Sequence, residues 1–367
     1  MSLTVRALSI HARYTCRHAG ACCTAGWDIP AEVSAAHTAL ELRPGSVWNQ
    51  GEWPPGIAGI VARRSDRSCI FHDSGRCTIQ RERGPDHMPS ACRVFPRIAT
   101  VRPSGLLVSL SHFCPTAAGL LFESQRLAIV EAPVLFSYET TLATLDARQL
   151  APPLLRPGVF MSWPDFERWE SHVIQVLGER DGEWTSTLAR LEADALALQG
   201  WTPERGSLAE WLSRHLDAGR ACADAPSPPS PHAALAVWHR LFASVPHAVR
   251  DLPALLTPIS DPFAWPPAQS EISHVLRNFA AAHIFGSHLV LQARSLLAGL
   301  RAAEIAAELA LLHAAALARS RAGSTCETVL REAIRRTDFL LRHAAEDRAL
   351  LQIMNETATG LRRRSRS

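Results

Sequence analysis

The chain has 367 residues, is 47% hydrophobic and 20% charged, and carries a formal net charge of +3. No lysine occurs anywhere in it, which excludes lysine Schiff bases, a P-loop lysine, a lysine general base and the lysine–glutamate pair of kinases. Four positive charges sit in the 361–367 tail, on Arg362, Arg363, Arg364 and Arg366, so the body is nearly neutral and gives no electrostatic case for nucleic acid.

Asparagine is also scarce, present only as Asn49, Asn278 and Asn355, while alanine, arginine and proline are abundant. Codon bias in a GC-rich genome accounts for both depletions. The composition is that of a globular protein with ample length for a core. At the N-terminus, Arg6, His11 and Arg13 bracket the short run Ala7–Ile10, so a signal-peptide apolar region is missing. No segment reaches the roughly 18 uninterrupted apolar residues of a membrane span. The best candidate, Ala280 to Leu300, carries His283, His288, Gln292 and Arg294. These features place the chain in the cytoplasm, where thiols stay reduced, with no membrane partner.

Seven of the nine cysteines fall in the first 114 residues: Cys16, Cys22, Cys23, Cys69, Cys77, Cys92 and Cys114. In a reducing compartment such a cluster reads as metal ligation before it reads as disulfides. Thiolates are soft donors suited to zinc, iron–sulfur clusters or copper(I). In the first group, Cys16 to Cys23, Gly20 allows the tight turn that lets several sulfurs face one point. The second group, Cys69 to Cys77, contains the turn Asp73-Ser74-Gly75, which predicts two short arms with a cysteine on each. The third is Cys92-Arg93-Val94-Phe95-Pro96. The fourth is Cys114-Pro115, whose proline fits the first position of a helix. His18, His72 and His112 lie within or beside these groups as further candidate ligands or hydrogen-bonded neighbours. Cys222 and Cys326 are isolated and read as structural.

Past Cys114, the pattern predicts a helix from Pro115 to Val130, and the proline-rich stretch Ala151–Pro157 marks a boundary. Two amphipathic helices follow, over 165–177 and about 188–198, the second ending at Gly200. Ser207 and Glu210 form a capping box before another short helix. The segment from Ala225 to Pro231 is a stiff linker, and Pro253 to Pro267 is again broken by proline. From Ser270 onward the sequence is strongly helical, with a second capping box at Ser324 and Glu327 and antiparallel helices joined near Gly323. The scattered histidines His274, His283, His288, His313 and His343 show no zincin spacing. The expectation is a mainly α protein: a small irregular cysteine-cluster metal domain with short strands over 1–125, a helical region with proline-rich linkers over 126–231, a C-terminal helical domain over 232–360 and a basic tail.

These residues resemble the YkgJ-type zinc- or iron-chelating cysteine-cluster family, and within it the flagellin lysine-N-methylases. The family pattern runs C-x-x-C-G-x-C-C, C-…-G-x-C-x-I-H, C-R-x-[FY]-P, then a serine- and leucine-rich strand ending in C-P. The chain offers Cys16 through Gly20 to Cys22-Cys23, Cys69 to Cys77-Thr78-Ile79, Cys92-Arg93-Val94-Phe95-Pro96 and Leu110 to Cys114-Pro115, over residues 14 to about 122. Trp27 and Ile29 also fit the methylase branch. Two positions depart: Ala19 stands for the second cysteine of the first motif, and Gln80 for the histidine of the second. His18 or a spare cysteine could fill the missing place, or the cluster could have a labile corner or no longer hold metal. The resemblance implies metal or cluster binding, [4Fe–4S] or zinc, by the seven cysteines. It also implies methylation of protein lysine, with S-adenosylmethionine as donor and flagellin as partner.

Two non-enzymatic alternatives stand beside this. One is a closed structural metal site next to a helical partner-binding domain. The other is a redox or iron sensor, since Arg17, Arg76 and Arg93 beside the thiols would lower their pKa. The nearest glycine-rich loop, Gly178 to Gly182, ends a helix and does not open one, so no Rossmann-type donor site is expected.

Overall fold

The structure is a computed structural model that describes residues 4–135, 145–179, 182–216, 231–250, 256, 258–261, 269–320 and 323–364. Cys222, residues 225–230 of the linker and most of the Pro253–Pro267 run lie outside the described residues. The protein is mainly α. Its N-terminal part holds more sheet than the sequence pattern suggests.

The hairpin Arg97–Arg102 and Gly105–Leu110 forms the middle of a five-stranded sheet. Val5–Leu8 pairs in parallel with Gly105–Leu110, and Ile129–Glu131 pairs antiparallel with Val5–Leu8. Leu145–Asp146 adds to the other side, parallel to Arg97–Arg102. Successive side chains point to opposite faces of a strand. Leu8 and Leu107 therefore join the helical core, while Ala7, Leu106, Val108 and Leu110 join a second core on the other face. Both faces are covered, which is why Gly105–Leu110 is buried along its whole length. A smaller three-stranded sheet of Pro30–Glu32, Ile57–Val61 and Val47–Trp48 packs with the helix Val33–Leu42. Its core includes Cys23 and Cys69.

The C-terminal helices gather around Leu296–Ser320, which packs against Gln269–Ile284, Cys326–Phe339, Pro231–Ser244, Trp184–Gln199 and Asp347–Arg364. Buried alanines such as Ala303, Ala306, Ala307 and Ala310 leave room for close approach along it. The core is continuous from Leu8, Leu107 and Phe113 to these helices. Polar contacts join the two parts as well. Thr100 Oγ1 donates to Gly286 O at 2.8 Å and Ser109 Oγ to Ala282 O at 3.3 Å. They satisfy carbonyls at the end of Gln269–Ile284, groups that a helix C-terminus leaves open.

Several local expectations shift. The helix begun by Pro115 stops at Leu120, because Ile129–Glu131 is taken by the edge of the sheet beside Val5–Leu8. The proline-rich stretch forms a small hairpin, Leu154–Arg156 with Val159–Phe160. The helices at 163–177 and 184–199 are present and slightly longer than the apolar spacing indicates. The Ser207–Glu210 capping box forms with both reciprocal bonds at 3.3 Å. At the second predicted box the cap is Thr325, which accepts from Thr328 N, so the helix begins one residue later at Cys326.

Arg102 and Glu170 form a bidentate ion pair at 2.8 and 3.0 Å, both residues almost wholly buried. Glu170 also accepts from Gly286 N at 3.2 Å, so one carboxylate ties strand, helix and interhelical turn together. Removing one partner leaves an uncompensated buried charge. Glu170→Ala should lower unfolding free energy by about 3–5 kcal/mol in urea titrations, and the double change to Arg102→Met with Glu170→Met should recover most of it. A single-variant loss under about 1 kcal/mol would contradict a closed, dry pair.

Candidate metal centre

A left-handed turn at Gly20 (φ 70°) starts the short helix Ala21–Thr24, which carries Cys22 and Cys23. A Cβ at Gly20 would lie 3.0 Å from His72 Nε2 and 3.1 Å from Gly75 O. The glycine is therefore needed both for the turn and for the approach of the second cysteine group. Cys69 N donates to Cys23 O at 2.7 Å, fastening the two groups through the backbone. His72–Asp73 and Arg76–Cys77 pair across the Asp73–Gly75 turn. Cys77 lies on the second arm as expected. Cys69 does not lie on the first arm; it precedes it and bridges to Arg63. Cys92 sits in the helix Ser90–Val94, and Cys114 caps the helix that Pro115 opens.

Six of the seven cysteines, all but Cys69, line one cavity of about 270 Å3. Cys69 reaches the same group through Cys23. The Cys22 and Cys23 sulfurs are 4.0 Å apart. Interaction with Cys22, then with Cys69 and Cys77, pushes the Cys23 thiol up. The same contacts with Cys23 pull the Cys22 and Cys69 thiols down and bring Cys77 to about 6. Cys92 is partly buried beside them; desolvation, then the charges at Cys22, Cys69 and Cys77, push it well up. Cys23 thus lies at the hub of a five-thiol group with Cys22, Cys69, Cys77 and Cys92. Cys16 and Cys114 stand apart from it, around Tyr14: burial and then these two thiols push the phenol up, and its Oη is 3.7 Å from Cys114 Sγ.

Among the described residues no Asp or Glu lines the cavity, while Arg76, Arg93 and Arg97 do. Arg97 lies over the Tyr14 ring at 5.5 Å. A wall of thiols and guanidiniums without carboxylates favours thiolate over thiol and offset of a negative thiolate centre. Arg17 is exposed and is not part of the lining. His18 lines the cavity, and its Nδ1 is 3.0 Å from Gln80 Oε1. His112 is fully buried; its Nε2 lies 3.1 Å from His11 Nε2 and its Nδ1 faces Asp338 Oδ1 at 3.5 Å. Cys326 opens a C-terminal helix, remote from the group.

All eight described cysteines are free thiols. Among the described residues, no three or more His, Cys, Asp or Glu side chains lie together closely enough to hold a metal ion. Zinc–sulfur bonds of about 2.3 Å put tetrahedral sulfurs roughly 3.8 Å apart, so the 4.0 Å pair needs only slight contraction. The donor set is all sulfur, which suits zinc or an iron–sulfur cluster and not a hard cation. Tyr14 and Arg97 were not assigned a role by the sequence pattern, although both flank its cysteines.

Thiol chemistry in the metal-free protein follows from this geometry. Cys77 should alkylate with a rate that rises with pH and levels off above about 6, while Cys92 stays slow up to pH 8; peptide mass spectrometry reads both. Equal rates at Cys77 and Cys92 at pH 7 would contradict the hydrogen-bonded hub. Comparison of the chain with protein-family models, with curated proteins and with solved structures gives no match.

Proposed function

We propose that the chain is a metal-binding protein whose thiol cavity holds a zinc ion or an iron–sulfur cluster, and that its activity is methylation of protein lysine side chains. The observation that carries the metal reading is convergence: six of the seven cysteines between positions 16 and 114 line one cavity, and Cys69 adjoins them through Cys23. Cys22, Cys23, Cys69 and Cys77 are the residues that would hold the metal, with Cys92 alongside. A closed four-thiolate zinc would stabilise the surrounding fold; an iron–sulfur cluster would supply electron transfer. Arg76, Arg93 and Arg97 offset the charge in either case.

The methylase part rests on the resemblance of the cysteine motifs to flagellin lysine-N-methylases. Methyl transfer from S-adenosylmethionine needs a neutral lysine amine in line with the sulfonium; the nitrogen–carbon bond forms, the sulfur–carbon bond breaks and the ammonium proton leaves. The protein's arginine-only composition makes the assay clean, because apart from its N-terminal amine it has no amine of its own to label. Gly178 is not a cofactor loop: a Cβ there would meet Leu127 O at 2.5 Å, so this glycine serves packing. A redox-sensing reading is favoured by the exposure of Cys16 and the lowered Cys77 thiol.

Anaerobic purification followed by metal analysis tests the site. The expected result is stoichiometric zinc, or iron with acid-labile sulfide and visible absorption. Cys23→Ser should abolish retention, and Cys326→Ser should leave it unchanged. Retention of neither metal, with all seven thiols freely reactive, would overturn the metal reading. Incubation of the loaded protein with S-adenosylmethionine and lysine-rich flagellin should add methyl masses to the flagellin; none on any such substrate would reject the methylase.

A further inference from the structure

A second buried polar assembly, outside the thiol cavity, is built around Asp338 near the end of the helix Cys326–Phe339. Asp338 is fully buried. Its Oδ2 accepts from Ser111 Oγ at 2.6 Å and from Phe113 N at 3.1 Å. Its Oδ1 accepts from Arg342 Nε at 3.1 Å and faces His283 Nε2 at 3.4 Å and His112 Nδ1 at 3.5 Å. Three residues earlier on the same helix, Arg335 Nε donates to Phe113 O at 3.0 Å. One helix, more than 220 residues further along the chain, therefore takes both backbone polar groups of Phe113.

Further contacts converge on the same turn. His343 Nε2 lies 2.7 Å from Ser111 Oγ. The serine proton points at a carboxylate that can only accept, so the imidazole is the donor in this pair. His343 belongs to a π-helical turn, Leu340–Ala344, a geometry that recurs at functional sites. Its ring lies 4.9 Å from that of Trp27, four residues past Cys23. The Phe113 ring packs on Phe339 at 5.0 Å and on Phe95 at 6.4 Å. Cys114 follows immediately, with its sulfur beside Tyr14 in the wall of the cavity.

We propose that Asp338 is a positioning residue for the cysteine cavity: with Arg335 it clamps the Ser111–Cys114 turn, so that the C-terminal helices fix the Cys114 wall. The clamp acts on the backbone and stands whether or not the thiols carry a metal. Removing the carboxylate takes the acceptor from the buried Ser111 hydroxyl and Arg342 Nε and leaves the Phe113 amide only the longer 3.3 Å contact with Ser111 Oγ, and buried donors are costly to leave unpaired. The turn then opens locally while the five-thiol group, held by other contacts, does not.

Site-resolved alkylation of the reduced, metal-free full chain tests this. In the wild type, exposed Cys16 should label at once, whereas buried Cys23, Cys69 and Cys114 label slowly. Asp338→Ala should speed labelling of Cys114 by about tenfold or more, leaving Cys23, Cys69 and far-ultraviolet circular dichroism unchanged. Asp338→Asn keeps an oxygen for Phe113 N and Ser111 and should restore most of the protection. Unchanged protection of Cys114 in a folded Asp338→Ala protein would overturn the proposal. So would equal deprotection of Cys23, Cys69 and Cys114, the mark of general opening. If Asp338→Ala does not fold, Arg335→Met provides the second probe: a smaller rise confined to Cys114 supports the clamp, and no rise overturns it.

Discussion

The antiparallel ladder between Arg97–Arg102 and Gly105–Leu110 is the constraint on which the rest depends. One face of the hairpin closes the helical core and the other closes the core around Tyr14 and Cys114. A one-residue slip would exchange the two faces, turning Leu107 away from the helices and Leu106 and Val108 towards them. At its open end, Ser111 N donates to Pro96 O at 2.7 Å. The chain entering the hairpin brings Cys92 and Phe95, and the chain leaving it brings Cys114. Register in the sheet therefore sets the spacing of two cysteine groups.

The remaining thiols are positioned by shorter-range geometry. The positive φ of Gly20 turns Cys22 and Cys23 inward, and the Cys69–Cys23 backbone bond joins the second group to the first. The thiols so gathered shift one another, Cys23 upward and Cys77 down to about 6. Guanidiniums, with no carboxylate in the lining, complete an environment that suits a negative sulfur-ligated centre.

The cysteine convergence was legible in the sequence because residue type and local spacing carry it. Gly20, the Asp73–Gly75 turn and Pro115 each act within a few residues of the cysteine they serve. The strand Val5–Leu8 was not legible: its four residues gain strand identity only from partners about 100 positions away. Asp338 was hidden for the same reason. Within its helix it reads as one more polar position, and its partners Ser111 and Phe113 come from the far end of the chain. The His18–Gln80 contact shows the same limit, since it joins the neighbour of one departing position to the other departing position, 62 residues along the chain. Thr325 took the cap expected of Ser324 because neighbouring hydroxyls offer equivalent acceptors.

Sulfur-ligated metal binding at the five-thiol group is the central claim, and X-ray absorption at the metal edge of anaerobically isolated protein tests it most directly. The account expects a first shell of sulfur alone, at about 2.3 Å for zinc, lost in Cys23→Ser. A shell of nitrogen or oxygen at roughly 2.0–2.1 Å, or a sulfur shell that survives Cys23→Ser, would contradict it.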